Sequence, residues 1–287
     1  MTLTRVLTAL VLMPLVIVIV LLPRTTVVAV AVGVFTVLAL WEYFSLGEAI
    51  GHRAYRLWTT FCALLLNYVQ WGAASLNYRM PGDYLSRIDV IGGDAGIQLV
   101  LMVFLVGLTV LTLWTRRPLV EALPSAGVSS SAFVLVAFPL SYAIRLHGAP
   151  TVHGPRLLLF ALAITWAADT VAYFVGRAFG KHPLAPKISP KKTWEGSVGG
   201  LLGSLLIAYV FHFWLTIPLP HLLVMAFLGN IAGQMGDLLE SAWKRSAGVK
   251  DSGGLLPGHG GILDRIDALI LCIPVIWYYL VLVNPTL

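Results

Sequence analysis

Long apolar runs recur along nearly the whole chain, separated by short stretches where proline, glycine and charge collect. A helix needs about 20 predominantly apolar residues to cross the hydrocarbon core of a bilayer. Nine segments approach that length: 6–23, 26–46, 57–75, 97–114, 127–147, 155–176, 196–218, 220–240 and 264–283. The pattern predicts an all-α, polytopic membrane protein of about nine transmembrane helices. The run from Val6 to Leu22 follows Arg5 and ends at Pro23 and Arg24 with no small-residue cleavage site, so it reads as an uncleaved first span. No fixed-period repeat, low-complexity tract or composition shift marks a soluble domain. By content the chain still divides in two. Residues 1–150, with spans one to five, are mostly Leu, Val and Ala, while 151–287 carry nearly all the versatile side chains, with polar loops at 177–195 and 241–263.

Composition strengthens the membrane reading. Hydrophobic residues make up 58% of the chain and charged ones 11%, against roughly 25% charged in soluble proteins, so a water-soluble globule is excluded. The expected surroundings are membrane lipids, with no nucleic-acid partner. Cys62 and Cys272 lie far apart in apolar runs, which gives neither a disulfide framework nor a metal spacing.

Charge sets an orientation, because Lys and Arg gather in cytoplasmic loops. With nine spans and the N-terminus inside, 14 of the 19 basic residues fall on the inner side: Arg5, Arg53, Arg56, Arg116, Arg117, Arg177, Lys181, Lys187, Lys191, Lys192, Lys244, Arg245, Lys250 and Arg265. Arg24, Arg79, Arg87, Arg145 and Arg156 remain outside, with Asp83, Asp89 and Asp94 in the longest outer loop. Both polar loops of the second half then share the cytoplasmic face.

Carboxylates at membrane depth are costly, at about 2.5–3.5 kcal/mol each on insertion scales, and usually face a cavity or a partner. Asp237, Asp264 and Asp267 stand near the ends of the last spans, and Asp169 lies within the sixth. Three residues apart on a helix, Asp264 and Asp267 share a face and repel. Arg265 points elsewhere, whereas a bound Mg²⁺ would resolve the conflict; the plainer alternative is a solvated helix start. Asp169, Tyr173 and Arg177 fall at steps of four and line one face, either as an internal Asp-to-Arg stripe or as a cavity wall. Glu42, between Trp41 and Tyr43, is placed at the interface.

Around the acids gather cations and glycines. Lys244, Arg245 and Lys250 precede them, and Lys187, Lys191 and Lys192 lie in the other loop. Topology and anionic headgroups explain such charge. They do not explain Gly253, Gly254, Gly258, Gly260 and Gly261, which suit close backbone approach to an anion. Gly260 and Gly261 directly precede the last helix, whose N-terminus favours phosphate. His259 either donates to a phosphate oxygen or is satisfied by backbone. Ser189 and Thr193 either help hold phosphate or cap the helix beginning near Thr193. Gly196, Gly199, Gly200 and Gly203 form small-residue pairs suited to helix packing.

The stretch SAWKRSAGVKDSGGLLPGHGGILDRID, Ser241 to Asp267, closely resembles the signature of the phosphatidate cytidylyltransferases, and ISPKKTWEGSVGG resembles a second block of that family. Trp243 departs from the aliphatic or Phe residue more usual in the pattern. The resemblance implies a membrane enzyme that makes CDP-diacylglycerol and pyrophosphate from CTP and phosphatidic acid, with Mg²⁺ and with or without a second cation. It further implies a homodimer in the bacterial cytoplasmic membrane with its site at the cytoplasmic face. Carried residue by residue, it implies metal binding by Asp237, Asp264 and Asp267, which with Lys250 form the catalytic set. It implies substrate binding by Ser189, Lys191, Lys192, Thr193, Ser241, Lys244, Arg245, Asp251, His259, Gly260, Gly261 and Arg265. Asp251 would either contact the nucleotide or support the lysines. Because lipid and nucleotide must meet at the membrane surface, a groove open sideways between helices is expected. Two rivals carry other expectations: a CTP-dependent polyprenol or phytol kinase would release CDP, and a transporter with an acidic ion site would show repeats or paired broken helices.

Overall fold

The computed structural model describes residues 2–76, 94–115, 117–149, 153–255 and 260–283. Arg79, Asp83, Arg87, Asp89, Arg116, Gly258 and His259 lie outside them. The described chain is almost wholly helical: α1 (Thr2–Leu21), α2 (Thr25–Ala49), α3 (Arg56–Leu76), α4 (Asp94–Trp114), α5 (Leu119–His147), α6 (Gly154–Phe179), α7 (Trp194–His212), α8 (Leu219–Ser246) and α9 (Leu263–Val283). Each of the nine expected apolar segments falls on one of these helices. Among the described residues seven of these helices qualify as membrane spans by length and hydropathy. Outward faces carry exposed Leu105, Val106, Leu206, Phe213 and Leu282, the surface that lipid covers.

Boundaries move where polar residues continue a helix. The last turns of α8 run past the expected end at 240 to Ser246, and Lys244 and Arg245 there complement the negative end of the helix dipole. Helix α7 begins at Trp194 because the Thr193 hydroxyl accepts a 3.1 Å bond from the Gly196 N–H, so Thr193 is its N-cap. Within α5 the turn Phe133–Ala137 widens into a π-turn, with the Phe138 N–H bonded to the Phe133 carbonyl, just ahead of Pro139, which has no N–H to give the helix.

The basic loop after α6 carries a small antiparallel hairpin, β1 (Pro183–Ala185) with β2 (Ser189–Thr193), paired Pro183 to Thr193 and Ala185 to Ser189. Its prolines punctuate a sequence without apolar alternation, so the strands were not visible in the pattern.

Packing in the second half depends on small residues. A Cβ on Gly196 would lie 2.9 Å from the Ala172 carbonyl oxygen, and one on Gly200 would lie 3.0 Å from that of Ala168. Gly199 and Gly203 receive Val175 and Val171 in the same way. These glycines therefore do serve helix packing, drawing α7 against α6 until backbones nearly touch. Gly236 does the same between α8 and α9, where a Cβ would meet the Asp267 carbonyl oxygen at 2.4 Å. Cys62 and Cys272 are buried and free.

This packing makes Gly200→Leu costly, by about 1–3 kcal/mol, since backbone cannot yield as a flexible side chain can. Gly72→Ala in α3, where nothing lies within 4 Å of the added carbon, should be neutral or stabilising by about 0.5–1 kcal/mol. Thermal unfolding in detergent should separate the two; equal melting temperatures would contradict this account of α6 and α7.

Candidate active site

Between α6, α7 and α8, under the hairpin, lies a cavity of about 580 Å³. Asp169, Tyr173 and Arg177 from α6 line it, with Lys191, Lys192 and Thr193 from the hairpin and Asp237 from α8. Its inner wall is built from small residues, Ala168, Ala172, Gly176, Gly196, Gly200 and Gly233, which leave room where larger side chains would fill it. Arg177 donates to the Tyr173 hydroxyl at 3.2 Å, so the α6 stripe is a cavity wall.

Two carboxylates come near each other where α8 and α9 pack closely. Gly236 admits the backbone of Asp267, and Asp237 follows it by one residue. Asp267 is repelled by Asp237, Glu240 and Asp169, and Asp169 in turn is repelled by Asp237 and attracted by Lys192 and Arg265. Lys192 forms an ion pair with Asp237. Four acids thus act on one another beside a cavity that Arg177, Lys191 and Lys192 also line. Among the described residues no three Asp, Glu, His or Cys side chains stand close enough to hold a metal by themselves. Mg²⁺ asks for less, since one or two carboxylates commonly hold it while waters and substrate phosphates complete the shell. Asp237 and Asp267 fit that requirement.

Asp264 has different partners. One carboxylate oxygen meets Lys244 Nζ at 2.5 Å; the other accepts from the Ser252 N–H at 3.0 Å, the Ser252 hydroxyl at 3.0 Å and the Gly261 N–H at 2.8 Å. Lys244 also pairs with Glu240, one turn earlier on α8. The side chains of Lys244, Glu240 and Asp264 are only 12%, 1% and 6% exposed, so these charges depend on one another. Asp264 is thus tied to Lys244 and to the loop before α9, as Asp237 is tied to Lys192.

The start of α9 is also taken. Glu42 of α2 accepts from the Ile262 N–H at 2.9 Å, the Leu263 N–H at 2.8 Å and the Ser252 hydroxyl at 2.8 Å. Carboxylates of the protein itself thus fill the helix N-terminus that the sequence suggested for phosphate. The glycines serve the same closure. Gly260 has φ +78°, and a Cβ there would lie 2.6 Å from Asp264 Oδ2. One on Gly253 or Gly261 would run into Glu42.

The remaining candidates hold or flank the loops. Arg245 donates to the carbonyls of Ile188 at 3.2 Å and Val249 at 3.1 Å, fastening the hairpin to the loop after α8. Both polar loops therefore do lie on one side. Lys250, Asp251, Arg265 and Lys191 are exposed, and Ser189 and Ser241 are half-buried. Glu195 gathers the hairpin's entry, taking a 2.6 Å contact from His182 Nδ1.

Sequence comparison supplies what geometry leaves open. The cytidylyltransferase family profile matches residues 3–283. The chain belongs to the cytidylyltransferase family. The phosphatidate cytidylyltransferase of Haemophilus influenzae is 34% identical over 266 residues, 88% of each chain. Those of Bacillus subtilis and Staphylococcus haemolyticus are 45% identical over 133 and 149 residues, which span 45% and 51% of this chain and 49% and 55% of theirs.

In this cytidylyltransferase-family chain, sequence reasoning missed Glu42, Glu240 and Ser252. Glu240 was findable, since Glu four residues before Lys on a helix is a favoured pairing. Glu42 was not, because 220 residues separate it from Ile262. Also missed was a polar chain across α7 and α8: Ser197 bonds Gln234, Gln234 donates to Asn230 at 2.6 Å, and Asn230 to Ser204 at 2.9 Å.

Lys244→Met should destabilise the protein by about 3–5 kcal/mol, since it strands Glu240 and Asp264 without their cation. Adding Glu240→Leu should recover part of that loss, because Asp264 keeps its donors from Ser252 and Gly261. Denaturant or thermal unfolding of the single and double variants checks this, and a double variant no more stable than the single would contradict it.

Proposed function

We propose that the protein transfers the cytidylyl group of CTP to phosphatidic acid, giving CDP-diacylglycerol and pyrophosphate, at the cytoplasmic face of a bacterial cytoplasmic membrane. The observation that carries this reading is the Asp237–Asp267 pair beside a cavity roofed by a lysine-bearing hairpin, in a chain of the cytidylyltransferase family with seven helices fit to span a bilayer. The proposed orientation puts the N-terminus inside, so that water-soluble CTP reaches the hairpin while acyl chains stay in lipid. A homodimer belongs to the same proposal.

Phosphatidate needs no strong base, because its phosphate is largely ionised at neutral pH and already nucleophilic. One of its oxygens attacks the α-phosphorus of CTP in line. The bond from that phosphorus to the bridging oxygen of the β-phosphate breaks, and its electron pair leaves with pyrophosphate. What the protein must supply is proximity and charge neutralisation. Lys191 and Lys192 on β2, with Lys250 from the facing loop, meet the triphosphate and the charge growing on the leaving group. Ser189 and Ser241 offer hydroxyl donors, and Arg265 and Asp251 flank the nucleotide's approach. Asp237 and Asp267 would hold Mg²⁺, which when bound supplies a Lewis acid for the phosphate oxygens. Lys244, Arg245, Thr193, Gly260 and Gly261 shape the loops that carry these groups.

Two labelled forms of CTP test the reading. With purified protein, Mg²⁺ and phosphatidic acid, label at the α-phosphate should enter the lipid fraction and label at the γ-phosphate should appear in pyrophosphate. Transfer of γ-label to a lipid alcohol would favour the kinase instead, and absence of α-label from lipid would overturn the proposal.

A further inference from the structure

We infer that Glu42, on the otherwise motif-free α2, is a positioning residue for the reacting site, a role that rests on the transfer proposed above. Its carboxylate reaches from outside the last two helices and their loop to hold the start of α9. It takes the N–H groups of Ile262 and Leu263 and the Ser252 hydroxyl, all within 2.9 Å. Ser252 has a single hydroxyl proton, yet Glu42 at 2.8 Å and Asp264 at 3.0 Å are both in reach of it. The two carboxylates are therefore coupled through one donor, and Asp264 passes the connection to Lys244.

Glu42 can act as a fixed point because its neighbour is clamped. The Tyr43 hydroxyl donates to Ser131 of α5 at 2.9 Å, and the Tyr43 ring meets Trp243 of α8 edge-on at 4.8 Å. This end of α2 is thus braced between α5 and α8, and through Glu42 it sets where α9 begins. One turn into α9 stands Asp267, whose place opposite Asp237 depends on that starting point. Partners that orient metal-binding side chains typically change activity or metal affinity about 10–100-fold when removed.

The test uses the full-length protein and Glu42→Gln, which keeps the side chain's size but loses acceptors, with Ser252→Ala as a second, milder variant. Hydrogen exchange of the segment from Gly260 to Ala268 reads the hold without reference to activity. Faster exchange confined to that segment is expected. In the same preparations kcat should fall about 10–100-fold and the Mg²⁺ requirement should rise, while KM for CTP changes little. Unchanged exchange would overturn the inference, and so would faster exchange with wild-type kcat and Mg²⁺ dependence, which would leave Glu42 a purely structural tie. If wild-type protein moved no α-label into lipid, the transfer reading would fail and the positioning role with it. The exchange data would still report whether Glu42 holds α9.

Discussion

Lys244 sits between Glu240 and Asp264 with almost no exposure, and these charges can exist there only by answering one another. Taking an ion from water costs several kcal/mol, and that cost is offset only when geometry is good and the remaining lone pairs find donors. The loop before α9 supplies those donors. Ser252 and Gly261 turn their N–H groups to Asp264, and Ile262 and Leu263 turn theirs to Glu42. The apparently open, glycine-rich connector is thereby folded around two acids of its own chain.

This closure divides the site's acids into two groups with separate work. Asp264, Glu240 and Glu42 are engaged with a lysine and with backbone, and they fix the helix ends. Asp237 lines the cavity in an ion pair with Lys192, and Asp267, on the adjoining helix, is repelled by it. Repulsion between two such carboxylates is tolerable in a resting protein if a divalent cation and a polyphosphate arrive together. Close helix contact at Gly236 makes the pair possible, since a side chain there would drive α8 and α9 apart.

Much of this was legible in the sequence, and the exceptions have physical reasons. Apolar run length located the nine long helices among the described residues, because a lipid-facing helix must be apolar along its full crossing. Boundaries failed at Lys244 and Arg245, where a helix outlasts its apolar stretch. The packing role of Gly196 to Gly203 followed from their spacing, and the grouping of the two polar loops from the distribution of Lys and Arg. The lysine and loop donors that surround Asp264 were not foreseen, because helical spacing reveals which side chains share a face but not which loop folds back on them. Glu42 was out of reach for a similar reason: its partners lie in α9 and the preceding loop, and nothing near it in sequence hints at them.

The central claim is that Asp237 and Asp267 are the acids that hold the cation. Mn²⁺ binding, measured by electron paramagnetic resonance with an unreactive CTP analogue present, tests it most directly. Asp237→Asn and Asp267→Asn should each weaken Mn²⁺ binding by about tenfold or more in protein that remains folded. Wild-type affinity in both variants would contradict the account.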